Sequence, residues 1–147
     1  MRLLVDSNIL IYAVNKSCPE HRAARDAIHA LLTGSSPWCL TWGVIYEYFR
    51  VSTHPRVFPD PLTADQAMDF ISALLKSDRV VMLAPTDRHE EVLRLTLGEI
   101  PRPAGNIFHD IETAVILREH GVHEILTSDS DFLRFRFLKV TDPVARR

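Results

Sequence analysis

The sequence predicts an α/β fold, a three-layer α/β/α sandwich around a central parallel sheet, and three observations carry that prediction. Short runs rich in branched apolar residues recur along the chain, as strands buried on both faces require. Segments with helical periodicity and recognisable caps stand between them, and strands that alternate with helices build parallel sheets. The 147 residues contain no repeat, low-complexity tract or composition shift, so residues 1–147 are expected to form one domain.

Residues 2–6 (RLLVD) read as a buried strand, and residues 7–14 (SNILIYAV) follow as a helix with Ser7 placed to cap it. In residues 17–34, Ser17 and Glu20 have capping-box spacing, Pro19 lies in the first turn, and Ala24, Ala27, Ile28 and Leu31 share a face. Gly34 then stops the predicted helix. Residues 37–41 (PWCLT) form a second strand, and residues 42–53 (WGVIYEYFRVST) a helix that is apolar on most sides, with Glu47 in its middle.

A proline-broken loop, HPRVFPDP, precedes a second capping-box pair, Thr63 and Gln66, which opens the helix running to residue 77. Residues 79–84 (RVVMLA) are a third strand, and residues 86–98 an amphipathic helix closed by Gly98. After the loop EIPRPAGN, Ile111, Ala114, Val115 and Leu117 mark a helix over 109–121 that ends at Gly121. Residues 123–128 (HEILTS) are a fourth strand, 129–135 a loop with one helical turn, and 136–142 (RFLKVTD) a last strand. In parallel sheets ligands bind beyond the carboxyl ends of the strands, where Asp6 and Asp129 both fall.

Composition excludes some classes. Hydrophobic residues at 46% and charged residues at 24% rule out collagen-like, disordered and disulfide-scaffold chains. A net charge of −2 gives no global basic field, so any nucleic-acid contact must be local. Arg134, Arg136, Lys139, Arg146 and Arg147 gather toward the C-terminus, as a solvated end does. Cys18 and Cys39 lack metal or disulfide spacing, which fits a reducing compartment and a cytoplasmic location. Asp6, Ser7 and Asn8 interrupt the apolar N-terminal stretch, so neither a leader peptide nor a membrane span is expected.

Each acid among these elements has a plain structural use. Asp6 can cap the helix after it, Glu47 can pair with Arg50 one turn on, and Asp110 suits the positive end of a helix dipole. Asp131 fits the cap of the turn at Phe132 better than Asp129, which lies nearer the strand end. Glu112 stands about 200° around its helix from Asp110 and is expected outside that site. Jointly, however, Asp6, Glu47, Asp110 and Asp129 can converge on one edge of the sheet. Carboxylates that crowd there repel one another unless a cation neutralises them, and an oxygen donor set with no His or Cys cluster favours Mg²⁺ or Mn²⁺ over zinc. Such a site binds a phosphodiester and activates a water for in-line attack.

LLVDSNILIYA, the Glu inside an apolar helix, HDIETAVILREHG and ILTSDSDF, in this order, resemble the PIN-domain nucleases, and the size and terminal motif look most like the VapC toxins. The resemblance covers nearly the whole chain. It implies a Mg²⁺- or Mn²⁺-dependent endoribonuclease with Asp6, Glu47, Asp110 and Asp129 as the catalytic, metal-holding quartet. Ser7, Asn8, Thr127, Ser128 and Asp131 are then the neighbours that orient it, with Asp131 also able to contribute to the metal site. It further implies a small VapB-like antitoxin that plugs the site, a homodimer, and structured RNA such as transfer RNA as substrate.

His109, His54 and Arg56 have no assigned role, although the last two could reach an RNA backbone. Two alternatives keep an acidic Mg²⁺ pocket. One is a housekeeping RNA-processing nuclease; the other is a phospho-receiver module with Asp87 as acceptor and Lys139 as the late-strand lysine.

Overall fold

The computed structural model describes residues 3–145. Its strands are β1 (Leu4–Val5), β2 (Trp38–Thr41), β3 (Val80–Leu83), β4 (Glu124–Leu126) and β5 (Lys139–Thr141). They form one all-parallel sheet in the order β3-β2-β1-β4-β5. Helices α1 (Ser7–Val14) and α2 (His21–Thr33) connect β1 to β2, and α3 (Trp42–Ser52) and α4 (Ala64–Leu75) connect β2 to β3. Then α5 (His89–Gly98) and α6 (Ile107–Glu119) carry the chain back across the sheet to β4, and a 3-10 turn over Ser130–Arg134 leads into β5.

Every residue of β1 and β2 is buried, and successive strand side chains point to opposite faces, so helices cover both faces of the sheet centre. The α/β/α sandwich expected from the sequence is therefore present. Trp38 and Leu40 from β2, Ile9 and Leu10 from α1, Ile45 and Tyr48 from α3 and Ile111 from α6 are among the fully buried side chains of the core. Each such aliphatic side chain contributes about 1.5–3 kcal/mol by leaving water. Among the described residues, no helix is long and apolar enough to cross a membrane.

Several boundaries differ from expectation for local reasons. Helix α1 is capped by Asp6, not Ser7: the Ser7 amide donates to Asp6 Oδ1 at 2.8 Å. The Ser17–Glu20 pair forms no capping box, because Asn15 Oδ1 takes the Ser17 amide at 3.2 Å and holds residues 15–18 in a turn, and α2 starts only at His21. The same spacing at Thr63–Gln66 forms both reciprocal bonds, at 3.0 and 3.1 Å. The last strand is shorter than residues 136–142, since Phe135 and Leu138 close a turn (Leu138 N to Phe135 O, 3.0 Å) and Phe132, Phe135 and Phe137 stack in sequence against the core. Gly121 ends α6 at φ +67°, a conformation that costs other residues roughly 1–2 kcal/mol. There Val122 N bonds Leu117 O and Gly121 N bonds Arg118 O, closing the helix end. Arg2, in the first expected strand, and Arg146 and Arg147, in the C-terminal basic group, lie outside the described residues.

Candidate active site

The strand order sets the place of the site. β2 and β3 lie on one side of β1 and β4 and β5 on the other, so the loops leaving β1 and β4 part from each other and open a crevice at their carboxyl ends. A cleft of about 850 Å³ lies there, lined by residues that include Asp6, Asn8, Glu47, His109, Asp110, Asp129 and Asp131.

Asp6 is the innermost acid, 8% exposed, at the end of β1. Its Oδ1 accepts from the Ser7 amide, and its Oδ2 accepts from the Thr127 hydroxyl at 2.7 Å and from Asn8 Nδ2 at 3.3 Å. Thr127 Oγ1 in turn accepts from Asn8 Nδ2 and from the Asp129 amide, each at 3.0 Å, while Asn8 Oδ1 accepts from the Ser128 amide at 3.2 Å. One hydroxyl thus ties β1, α1 and the loop after β4 into a single network. Burial pushes the Asp6 carboxyl above its ordinary range, and the negative charges of Asp129 and Glu47 add to the rise; the bonds from Thr127 and Ser7 pull the other way.

Asp110, in the first turn of α6, is half-buried; burial first, then Asp129, Asp6 and Asp131, push it up to about 7, with Arg134 opposing. Carboxylate oxygens of Asp110, Asp129 and Asp131 all lie within 4.8 Å of one another. The cap roles at the 3-10 turn are the reverse of those expected: Asp129 Oδ1 accepts from the Asp131 amide at 2.9 Å, which leaves the Asp131 carboxylate to stand with the other two.

Glu47 lies in the cleft wall outside that group of three, and both its oxygens are engaged by Arg50, at 2.6 and 3.0 Å. The Arg50 bond, helped by the charges of Arg50 and His109, holds its carboxyl below the usual range against partial burial. Glu112, expected away from Asp110, lines the same cleft at its Gly43 side: His109, Thr113 and Ile116 form the face of α6 that meets the cleft, and Asp110 and Glu112 stand at the two edges of that face. His109 also lines the cleft, a placement its sequence context did not signal. His54 is occupied within its own loop, its Nδ1 accepting from the Arg56 amide at 3.0 Å.

The phospho-receiver alternative requires Asp87 and Lys139 to share a pocket. Asp87 follows β3 and Lys139 starts β5, the two edge strands, which four strand spacings hold about 19 Å apart. Lys139 instead approaches Glu124 at 3.9 Å.

A parallel sheet with carboxylates gathered at the β1/β4 crevice defines a small class of acidic-site α/β proteins, and residues 3–138 match the PIN domain: the chain belongs to that family. Within it, the chain is 32% identical to Ribonuclease VapC33 of Mycobacterium tuberculosis, the match covering 97% of this chain and 98% of the relative. It is 30% identical to Ribonuclease VapC37 of the same organism, over 97% of each. The fold resembles that in the structure of VapBC2 from Rickettsia felis bound to a DNA fragment from their promoter, with a TM-score of 0.67, 16% identity, and coverage of 96% and 98% of the two chains.

Proposed function

We propose that this chain is a Mg²⁺- or Mn²⁺-dependent endoribonuclease, the toxin of a toxin-antitoxin pair. It acts in the cytoplasm on structured RNA such as transfer RNA, forms a homodimer and is silenced by a VapB-like antitoxin. The relatives' names support the ribonuclease class, and the VapBC2 complex supports the kind of partner. The observation that carries the catalytic reading is the crowding of Asp110, Asp129 and Asp131 within 4.8 Å, beside buried Asp6.

The residues fit a hard divalent cation. The cluster offers oxygen donors only; burial first, and then the crowding of Asp129, Asp6 and Asp131, raise Asp110 to about 7, and that crowding is the repulsion a cation would relieve. Asp6, Asp110 and Asp129 would hold it, with Glu47 as the fourth expected ligand and Asp131 at hand. When bound, such an ion supplies the Lewis acidity that polarises a phosphodiester and acidifies the attacking water. Thr127 and Asn8 keep the Asp6 carboxylate in one orientation, which spares the site the entropy of arranging it at each turnover. Asp110 retains its carboxyl proton until near neutrality, and it would have to give up that proton to serve as a ligand.

The test is incubation of the purified chain with total RNA in Mg²⁺ or Mn²⁺, in chelator, and as the Asp6→Asn variant. Discrete cuts that vanish in chelator and in the variant are expected. Cleavage that survives Asp6→Asn would overturn the site assignment.

A further inference from the structure

Glu47 is the acid of the cleft whose charge is answered by a guanidinium of the same helix. Its side chain is 44% exposed, and that of Arg50, one turn on, is 67% exposed. Arg50 grips it in a fork, with Nη2 donating to Oε1 at 2.6 Å and Nε to Oε2 at 3.0 Å. A fork of this kind is the geometry in which arginine holds a carboxylate best, because both oxygens are fixed in one plane. Among the described residues, Arg50 is the only arginine or lysine on the cleft lining, where carboxylates stand at the end of β1, on α3, on α6 and on the turn after β4.

Glu47 is within electrical reach of the other acids, for its charge adds to the rise of Asp6, the innermost of them. The group of Asp110, Asp129 and Asp131 nevertheless forms without it. The fork is local to one helix and open to water, so side-chain rotation is enough to break it. A guanidinium and a divalent ion do not share a carboxylate well. The guanidinium is always charged, so an ion brought to Glu47 beside it meets a like charge. Mg²⁺ also demands near-ideal octahedral positions, which oxygens pinned in a fork do not offer. Other basic neighbours do not take Arg50's place: Arg134 acts on Asp110 from the turn after β4, and His109 of α6 adds to the lowering of Glu47 less than Arg50 does. An exposed ion pair shifts an equilibrium by no more than about fivefold, which a cation that gathers several carboxylates at once outweighs.

We propose that Arg50 is a latch on Glu47: its guanidinium holds the carboxylate apart from Asp110, Asp129 and Asp131, and Glu47 passes from Arg50 to a divalent cation that enters the cleft. Arg50 is then a positioning residue, which raises the cation concentration at which Glu47 is recruited as a ligand. This rests on the cation site proposed above.

The test is a double-mutant cycle on the full chain, read by Mn²⁺ binding, with free Mn²⁺ followed by electron paramagnetic resonance. Arg50→Gln is expected to lower the Mn²⁺ Kd about 2- to 5-fold, and the same replacement in a Glu47→Ala chain to lower it by a smaller factor. Arg50→Lys falls between the parent and Arg50→Gln, because an ammonium keeps the charge but cannot close the fork. A second readout uses the parent itself. The Arg50 Nε–H resonance in ¹⁵N NMR, identified by its loss in Arg50→Gln, moves on saturation with Mg²⁺ toward its position in Glu47→Ala. Circular dichroism checks the fold of each variant.

Equal factors in the two backgrounds mean that Arg50 acts on the ion by repulsion alone, and they overturn the latch. Weaker Mn²⁺ binding by Arg50→Gln overturns it too, since Arg50 then holds Glu47 in place for the ion. An Arg50 resonance that stays put at saturating Mg²⁺ does the same. Each of these results leaves the nuclease standing where the parent binds Mn²⁺ and cuts RNA. A change of partner at Glu47 in a chain that cuts no RNA does the reverse, and a chain that binds neither Mn²⁺ nor Mg²⁺ overturns both.

Discussion

Asp110 is a residue at which the acidic crevice opposes folding, and replacing it with Asn removes that opposition while keeping size and shape. The carboxyl is raised from 3.8 to about 7 by burial and by Asp129, Asp6 and Asp131. At about 1.36 kcal/mol per pKa unit, the full shift caps the effect at roughly 4 kcal/mol. Because the group is only half-buried and water screens it, about 1–2 kcal/mol is the expected gain. For a chain of this length, that raises Tm by roughly 3–6 °C.

The pH dependence follows from the direction of the shift. A raised folded pKa means the protonated form favours the fold: that stability is complete below about 3.8 and is lost as pH climbs through about 7. Asp110→Asn should therefore match the parent near pH 4, gain steadily through pH 5 and 6, and reach its full advantage by pH 8. The assay is thermal unfolding by circular dichroism in chelator at these pH values, repeated with Mn²⁺. Saturating Mn²⁺ should stabilise the parent more than the variant and close the gap. A variant less stable than the parent at pH 8 in chelator, or an equal gain at pH 4 and pH 8, would refute the account in which burial and neighbouring carboxylates together penalise the Asp110 charge.

Other residues give further tests. Thr127→Val removes the hydroxyl that Asp6, Asn8 and the Asp129 amide all use; urea unfolding should report a loss of about 1–3 kcal/mol, and Thr127→Ser should recover most of it. Thr63→Ala should cost about 1 kcal/mol of stability as a lost helix cap, whereas Ser17→Ala should stay within about 0.5 kcal/mol because that pair caps nothing. Arg50→Ala should leave Tm nearly unchanged, since the pair with Glu47 is exposed, yet move the Glu47 carboxyl resonance to titrate at higher pH in NMR.

The alternation of strands and helices was legible because parallel strands buried on both faces read as apolar runs whatever their partners, as in residues 37–41 and 123–128. Boundaries were less so. Ser17–Glu20 and Thr63–Gln66 have the same spacing, but at the first a third residue, Asn15, takes the Ser17 amide into a turn, while the second closes its reciprocal cap. At the site, Asp6, Asp110 and Asp129 were visible as acids in apolar settings. The grouping of Asp131 with Asp110, the capture of Glu47 by Arg50, and the presence of Glu112 in the same cleft depend on backbone direction and helix placement, which spacing alone does not encode. The bond from Thr127 to Asp6 spans 121 positions, beyond the reach of any local pattern.

That separation has a temporal side. During synthesis the chain emerges from its N-terminus, so Asp6 is made long before the hydroxyl that steadies it and before Asp110, Asp129 and Asp131 exist. The central strand β1 likewise waits for β4 to complete its pairing. A chain still on the ribosome, or one cut short before residue 127, carries no assembled crevice. For a protein proposed to destroy RNA, the topology delays its capacity for harm until β4 and the turn that carries Asp129 and Asp131 are in place.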